Sequence, residues 1–333
     1  MRHSYAAAKK QMIFGTILLI IAVVFFAMNM GGSGIAPSFA SVYGARLISR
    51  KKATILFSIF VVFGAVTLGG RVAKTLSSGL VAKELFTPQV ALIILLSAAV
   101  SLFIANLLKV PQSTSWVTVA ATFGAALYFN NLNLITTFRM VGMWLILPLI
   151  GFALTFFSFR SIYPPRAENF WFYEKVHSWK KNIHFLALAS SCYVAFAIGA
   201  NNVANAVGPL MGANLISPLL GLLIISPLFG LGGWLIKDRT MKTIGKEIVP
   251  LGLITSTIVS IITASLLIVA SFLGFPQSLV QLNALAIMAV GTIKHEHVLA
   301  AKEKAVQKTF LVWLIAPFVS GILSFLFLNL LRS

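Results

Sequence analysis

The chain has 333 residues, of which 59% are hydrophobic and only 10% are charged, and its mean hydropathy is +0.95. Soluble domains carry about 25% charged residues, so a composition this apolar excludes a soluble protein and predicts an exterior that faces lipid. The net charge of +19 comes from basic residues in short loops between apolar runs; this pattern is typical of membrane topology, and we expect no nucleic-acid partner.

Ten apolar runs follow one another along the chain. They extend approximately over residues 12–28, 54–68, 88–108, 116–129 and 141–159, and then over 183–199, 215–236, 248–273, 279–292 and 310–331. A helix needs about 20 residues to span a bilayer, and several runs are shorter or contain Gly and Pro. The pattern predicts an all-α polytopic membrane protein with about ten membrane elements, some of them broken or re-entrant helices.

One polar stretch, residues 159–182, separates two groups of five runs. It carries five basic and two acidic residues, and aromatic side chains that suit the headgroup level of a membrane. We expect residues 11–158 and 183–331 to form two membrane repeats joined by this linker.

Short sequence landmarks recur in both groups in the same order. YGARLIS around Gly44 matches MGANLIS around Gly212, and Pro-Gln-Ser occurs at 111–113 and again at 276–278. A Gly-Gly pair (69–70 and 232–233) and a Lys-Thr pair (74–75 and 242–243) lie between them. The order predicts an internal duplication, and interrupted segments in duplicated halves are typical of transporters with inverted repeats and a binding site between them.

A stretch of small and polar residues ends the first run of each repeat. Gly31-Gly32-Ser33-Gly34 aligns with Gly199-Ala200-Asn201-Asn202. A helix broken here would free backbone N–H groups, which together with the helix dipole suit an anion; the alternative is close helix packing through small residues. We favour the binding interpretation because the feature is present twice. The predicted anion ligands are Ser33, Gly34, Asn201, Asn202 and Asn205.

The Pro-Gln-Ser motif opens a short apolar run in each repeat. Proline suits the first turn of a helix, and Ser, Thr and Gln supply donors beside unsatisfied amides. The alternative is an ordinary helix N-cap at a membrane surface. The further ligands predicted from this motif are Ser113, Thr114, Ser278 and Gln281.

Together the two motif pairs resemble the inorganic phosphate transporter (Pit) family, which includes a branch of sulfate permeases. The family motif Gly-Ala-Asn-Asp-Val-Ala-Asn-Ala resembles residues 199–206, and its Pro-x-Ser-Thr motif resembles 111–114 and 276–278. The resemblance extends to GGRVAKTLSSG and APFVSGILSF and so covers nearly the whole chain. It implies an oxyanion site with adjoining cation sites inside an inverted repeat, and symport with Na⁺ or H⁺.

The chain departs from the family pattern at the acidic position. Asn202 stands where the family has aspartate, and the seven acidic residues fall in loops or at the ends of segments. The aspartate that the family offers to a coupling Na⁺ is therefore absent from this chain. The candidate Na⁺ site lies near Asn29 and Asn202. A site without carboxylates favours sulfate, a permanent dianion, and the first copy Met-Asn-Met-Gly-Gly-Ser-Gly resembles the sulfate-permease branch.

The sequence thus predicts a multi-pass plasma-membrane protein for secondary-active uptake of phosphate or the similar oxyanion sulfate, and not an enzyme. A dedicated sulfate permease is the main alternative, and a passive channel or a non-transporting receptor are weaker ones. No cofactor is expected beyond Na⁺ or H⁺ as a coupling ion. The expected partners are the oxyanion, the lipid bilayer and a second copy in a homodimer.

Overall fold

The computed structural model describes residues 2–108, 112–235, 252–294 and 303–332; the landmarks Pro111 and Lys242-Thr243 lie outside these ranges. The first half contains α1 (Arg2–Gly44), α2 (Arg50–Lys74), α3 (Pro88–Leu107), α4 (Thr114–Tyr128) and α5 (Leu134–Ile162). The second half contains α7 (Lys180–Asn202), α8 (Ala204–Gly212), α9 (Pro218–Leu235), α10 (Gly252–Leu273), α11 (Leu279–Lys294) and α12 (Glu303–Arg332). A π-helical turn, Thr75–Gly79, extends α2, and the short helix α6 (Phe170–Ser178) lies between the halves.

Eight helical segments in the described ranges are long and apolar enough to cross a membrane. The helices α4 and α11 have 15 and 16 residues. At a rise of 1.5 Å per residue they extend roughly 23 and 24 Å, less than the ~30 Å hydrocarbon core. The prediction of an all-α polytopic protein with about ten membrane elements is confirmed, as eight spans and two shorter helices.

Apolar side chains lie both inside and outside the helix bundle. Phe26 and Phe57 are completely buried, whereas Phe138 and Phe185 are more than two-thirds exposed. A soluble protein would not present so many large apolar groups at its surface. The exterior is therefore suited to hydrocarbon, in which helices satisfy their own backbone groups.

The two halves have the same order of elements. Helix α1 is matched by α7 together with α8. Helices α2, α3, α4 and α5 are then matched in order by α9, α10, α11 and α12. The packing is reciprocal, since α1 packs on α9 as α7 packs on α2, and α5 packs on α11 as α12 packs on α4. Exchange of the halves thus reproduces these helix contacts, as expected for a duplicated chain. That the two halves have opposite orientations in the membrane stays a prediction.

The strongest sequence landmark corresponds to a helix C-terminal turn that is present twice. Arg46 (φ 58°) and Asn214 (φ 53°) adopt the left-handed conformation just after α1 and α8. Leu47 N donates to Val42 O, and Leu215 N donates to Leu210 O, both at 3.0 Å. These six-residue hydrogen bonds are the Schellman arrangement, which satisfies carbonyls at a helix end. YGARLIS and MGANLIS are therefore similar because they cap equivalent helices.

The segment between the halves forms a short helix rather than an extended linker. Helix α5 continues to Ile162, and α6 exposes Trp171 on the outside of the protein. The hydroxyl of Tyr173 donates to Ile162 O at 2.7 Å and so attaches α6 to the end of α5. The assignment of residues 159–182 as a boundary between two repeats stays a prediction.

The expected break at Gly31–Gly34 is wrong, because α1 continues through it without interruption. A Cβ at Gly31 would collide with the backbone of Phe229 on α9, and a Cβ at Gly199 would collide with Val61 on α2. The glycines thus allow two helix backbones to approach closely, which is the alternative interpretation from the sequence. In the second repeat the helix is interrupted only at Val203, whose φ and ψ (−60°, −34°) remain helical.

A second pair of glycines at close helix contacts changes which glycines of the two halves are equivalent. A Cβ at Gly232 would collide with the backbone of Met28, and one at Gly64 would collide with Phe196. Gly64 and Gly232 are separated by the 168 residues that also separate Gly44 from Gly212. Gly232 is therefore the counterpart of Gly64, and the pairing of Gly69-Gly70 with Gly232-Gly233 was wrong.

We expect Gly31→Ala to destabilise the protein by roughly 1–3 kcal/mol, because the new methyl group forces α1 and α9 apart. Gly70→Ala is the matched control, since no atom lies within 4 Å of the position that a Cβ would occupy there and alanine favours a helix by up to about 1 kcal/mol. Thermal unfolding in detergent, followed by tryptophan fluorescence, measures both. Equal midpoints for the two variants would contradict a close helix contact at Gly31.

Candidate functional site

Two helical hairpins, α3–α4 and α10–α11, meet at their tips in the interior. Ser113 and Ser278 precede α4 and α11, and their hydroxyls accept from Trp116 N (3.2 Å) and Gln281 N (3.3 Å). Ser115 Oγ donates to Gln277 O at 3.1 Å, which joins one tip to the other. The N-cap interpretation of the Pro-Gln-Ser motif is correct, but the caps are buried. Two helix N-termini, each with free N–H groups and a positive dipole end, therefore converge.

Asn201 holds the second tip with both of its amide donors and its amide oxygen. Its Nδ2 donates to Ser271 Oγ (2.9 Å) and to Phe275 O (3.0 Å), and its Oδ1 accepts from Gln277 N (2.8 Å). The side chain is completely buried. Asn201 thus satisfies backbone groups that would otherwise be unpaired between α10 and α11, and it has no donor left for an anion.

Two residues that the sequence analysis missed hold the same tip. Trp144 on α5 donates from Nε1 to Pro276 O at 2.7 Å. Arg71 on α2 donates from Nη1 to Phe272 O at 2.7 Å, and its guanidinium lies 4.1 Å from the centroid of the Phe272 ring. Arg71 lies in the stretch GGRVAKTLSSG, but no local pattern assigns either role, because the partners lie 132 and 201 residues away in the chain.

Asn205 lies against the first tip. Its Nδ2 donates to Thr114 Oγ1 (3.4 Å) and to Ser115 Oγ (3.3 Å), while its Oδ1 is buried without a partner. Asn202 Oδ1 is also buried without a partner. The structure therefore brings together the predicted residues Asn205, Thr114 and Asn202 near the joint of α7 and α8, with two amide oxygens unused.

The predicted ligands of the first repeat make other contacts. Ser33 Oγ donates to Met30 O of its own helix (3.0 Å), and Gly34 packs against the side chains of Phe57 and Ile198. Asn29 Oδ1 accepts from Asn106 Nδ2 (3.2 Å). Asn29 thus bonds to the last turn of α3, beside the first tip, whereas the contacts of Ser33 and Gly34 lie with α1, Phe57 and Ile198.

The motif also includes two glutamines that we did not predict as ligands, Gln112 and Gln277. Their amide nitrogens and oxygens are buried without partners, as is Oε1 of the predicted ligand Gln281. Buried amides are normally hydrogen-bonded, and an unpaired one costs about 1–3 kcal/mol. These unpartnered amide groups lie beside two buried helix N-termini.

Residues 30–324 match the model of the phosphate transporter family. The chain belongs to this family. Sulfate permease CysP of Bacillus subtilis (strain 168) is 36% identical over 319 residues, which cover 93% of this chain and 86% of that protein. Putative phosphate permease TK2061 of Thermococcus kodakarensis is 24% identical, with coverage of 93% and 97%.

The fold has a counterpart among solved structures. A structure described as the sodium-dependent phosphate transporter superposes with a TM-score of 0.80, at 23% identity and with coverage of 95% of this chain and 99% of that one. As a member of the phosphate transporter family, the protein is a multi-pass membrane transporter of a small inorganic oxyanion, phosphate or sulfate. The predicted membership of the phosphate transporter family and the predicted transport function are confirmed, as is the prediction of a transporter and not an enzyme.

We expect Asn201→Ala and Asn205→Ala to differ in stability although both reduce transport. Asn201→Ala leaves Gln277 N and Phe275 O unpaired, which costs roughly 2–4 kcal/mol. Asn205→Ala removes only two long hydrogen bonds and should cost about 1 kcal/mol or less. Unfolding midpoints and uptake of labelled sulfate and phosphate in vesicles measure the two effects.

The control for both variants is Asn329→Ala, at an exposed position on α12, which should leave uptake and stability near the parent values. Equal losses of stability at 201 and 205 would contradict the division of roles between the two asparagines. Normal uptake by Asn205→Ala would remove Asn205 from the binding site.

Proposed function

We propose that the protein takes up sulfate by secondary-active symport, with the anion bound between the two hairpin tips and Asn205. The observation that carries this proposal is the convergence of two capped helix N-termini on buried, unpartnered amide groups. Helix N-termini bind anions through free N–H groups and a favourable dipole. The site lies where the two repeats meet, as in other transporters with duplicated halves.

Two observations favour sulfate over phosphate. The relative named sulfate permease aligns with 93% of this chain at 36% identity. The residues at the tips, Gln112, Thr114, Asn205 and Gln277, are all neutral, so they do not repel a permanent dianion. Phosphate is the second candidate, because the family and other relatives carry that name.

The coupling ion is proposed to be Na⁺ bound by neutral oxygens. Asn202 Oδ1 and Asn205 Oδ1 are unpartnered. Pro37 and Pro209 lie inside helices and lack an N–H, so the carbonyls of Ser33 and Asn205 lose their usual helical donor. Carbonyl oxygens of interrupted helices bind Na⁺ in transporters. Proton coupling would require a titratable group, and none of the named tip residues titrates near neutral pH.

The proposal also includes the surface that faces lipid and the oligomeric state of the protein. We propose that the band of exposed Phe, Leu and Ile side chains faces the bilayer and that two copies form a homodimer. Light scattering of the detergent-solubilised protein, corrected for bound detergent, should give the mass of two chains. A mass of one chain, 36.0 kDa, would remove the dimer from the proposal.

We expect labelled sulfate to enter proteoliposomes in a saturable manner and faster when the vesicles contain unlabelled sulfate. An inward Na⁺ gradient should increase the rate, and phosphate should compete weakly. Uptake that does not saturate would indicate a passive channel, and the absence of flux for both anions would indicate a receptor. A rate that depends on pH but not on Na⁺ would replace Na⁺ by H⁺ as the coupling ion.

A further inference from the structure

Gln112 and Gln277 occupy matching positions in the two repeats, directly before the N-cap serines of α4 and α11. They are 2% and 0% exposed. Neither the amide nitrogen nor the amide oxygen of either side chain has a hydrogen-bond partner. The same unsatisfied group is thus present at both tips.

These side chains differ from four other unpartnered polar groups in the described residues. Those at Ser97, Thr155, Ser226 and Ser324 are hydroxyls on helices, which can rotate toward a carbonyl of their own helix. A carboxamide in a non-helical tip has no such neighbouring acceptor. An unpaired buried amide is unfavourable, so the two glutamines are suited to pairing with a polar ligand.

The position of Gln277 is fixed by its backbone. Its N–H donates to Asn201 Oδ1 at 2.8 Å, and its carbonyl accepts from Ser115 Oγ at 3.1 Å. Helices from both repeats therefore hold the backbone of this residue in the interior. A fixed residue with an unsatisfied amide is suited to recognising a ligand of defined geometry.

We propose that Gln112 and Gln277 are a matched pair of specificity-determining residues, whose amide nitrogens donate to the transported oxyanion and whose neutrality selects sulfate over phosphate. This inference rests on the proposed function. Sulfate near neutral pH carries no proton and accepts hydrogen bonds only, whereas phosphate keeps at least one proton and also donates. Neutral N–H donors suit the first anion, and a carboxylate in the same place would repel it and accept the proton of the second.

The near-isosteric change Gln277→Glu, and separately Gln112→Glu, tests the proposal. A site that hydrogen-bonds a hydroxyl group of its substrate can discriminate by roughly 10⁴-fold against an analogue that lacks it. At alkaline pH we expect kcat/KM for labelled sulfate to fall at least about tenfold and the ratio of phosphate to sulfate uptake to rise at least about tenfold. Gln89→Glu, at an exposed position in the first turn of α3, is the control and should leave both values unchanged.

A second pair of variants keeps the test decisive if a buried glutamate prevents folding. Gln112→Met and Gln277→Met preserve side-chain length and remove the polar atoms. Because an unpaired buried amide is unfavourable, we expect these variants to unfold at a higher temperature than the parent protein. The KM for sulfate should nevertheless rise at least about tenfold.

The opposite results would overturn the inference. Methionine variants with a lower unfolding temperature and an unchanged KM would show that the amides support the fold only. Glutamate variants with the parent ratio of phosphate to sulfate uptake would show that they do not select the anion. A parent protein that carries neither anion would refute the proposed function itself, so the two failures are distinguishable.

Discussion

A backbone group that leaves a helix inside hydrocarbon needs a partner, and this requirement organises the centre of the protein. In the second hairpin tip, the carbonyls of Phe272, Phe275, Pro276 and Gln277 each accept from a side chain. The donors are Arg71, Asn201, Trp144 and Ser115, from four different helices. The interrupted segment can exist only because these helices surround it, and the interruption in turn exposes the helix N-termini that suit an anion.

The same hydrogen bonds connect the two repeats. Arg71, Ser115 and Trp144 belong to the first half, whereas the tip that they hold belongs to the second. A movement of one half against the other must therefore either carry the tip with it or break these bonds. In a transporter that works by alternating access, these bonds would move with the tip or rearrange as the site opens.

Much of the fold could be predicted from the sequence, because its signals are local. Apolar runs gave the spans, and the turns at Arg46 and Asn214 explain why two heptapeptides resemble each other. The position of the helix interruptions could not be predicted from glycines alone. Small residues suit both a broken helix and a close helix crossing, and the choice at Gly31 depends on Phe229, which lies about 200 residues away in the chain.

The candidate site could be predicted only in part, because contacts between distant parts of the chain decide the roles of its residues. The motif Gly199-Ala200-Asn201-Asn202 was recognisable, but the roles inside it depend on tertiary contacts. Asn201 uses its hydrogen bonds on the second tip, while Asn205 and Asn202 keep free oxygens. No motif assigns the roles of Trp144 and Arg71, since each recognises a backbone carbonyl that any residue would provide.

The neutral side chains of the site have a consequence for its charge. Each helix N-terminus acts as roughly +0.5 of an elementary charge, so the two at the tips supply about +1 against a dianion. The remaining negative charge of about −1 would be unfavourable inside a membrane. A monovalent cation at the free oxygens of Asn202 and Asn205 would neutralise it. Under the proposed function, coupling to a cation would follow from the charge of the anion and would not require the aspartate that stands at the position of Asn202 in the family motif.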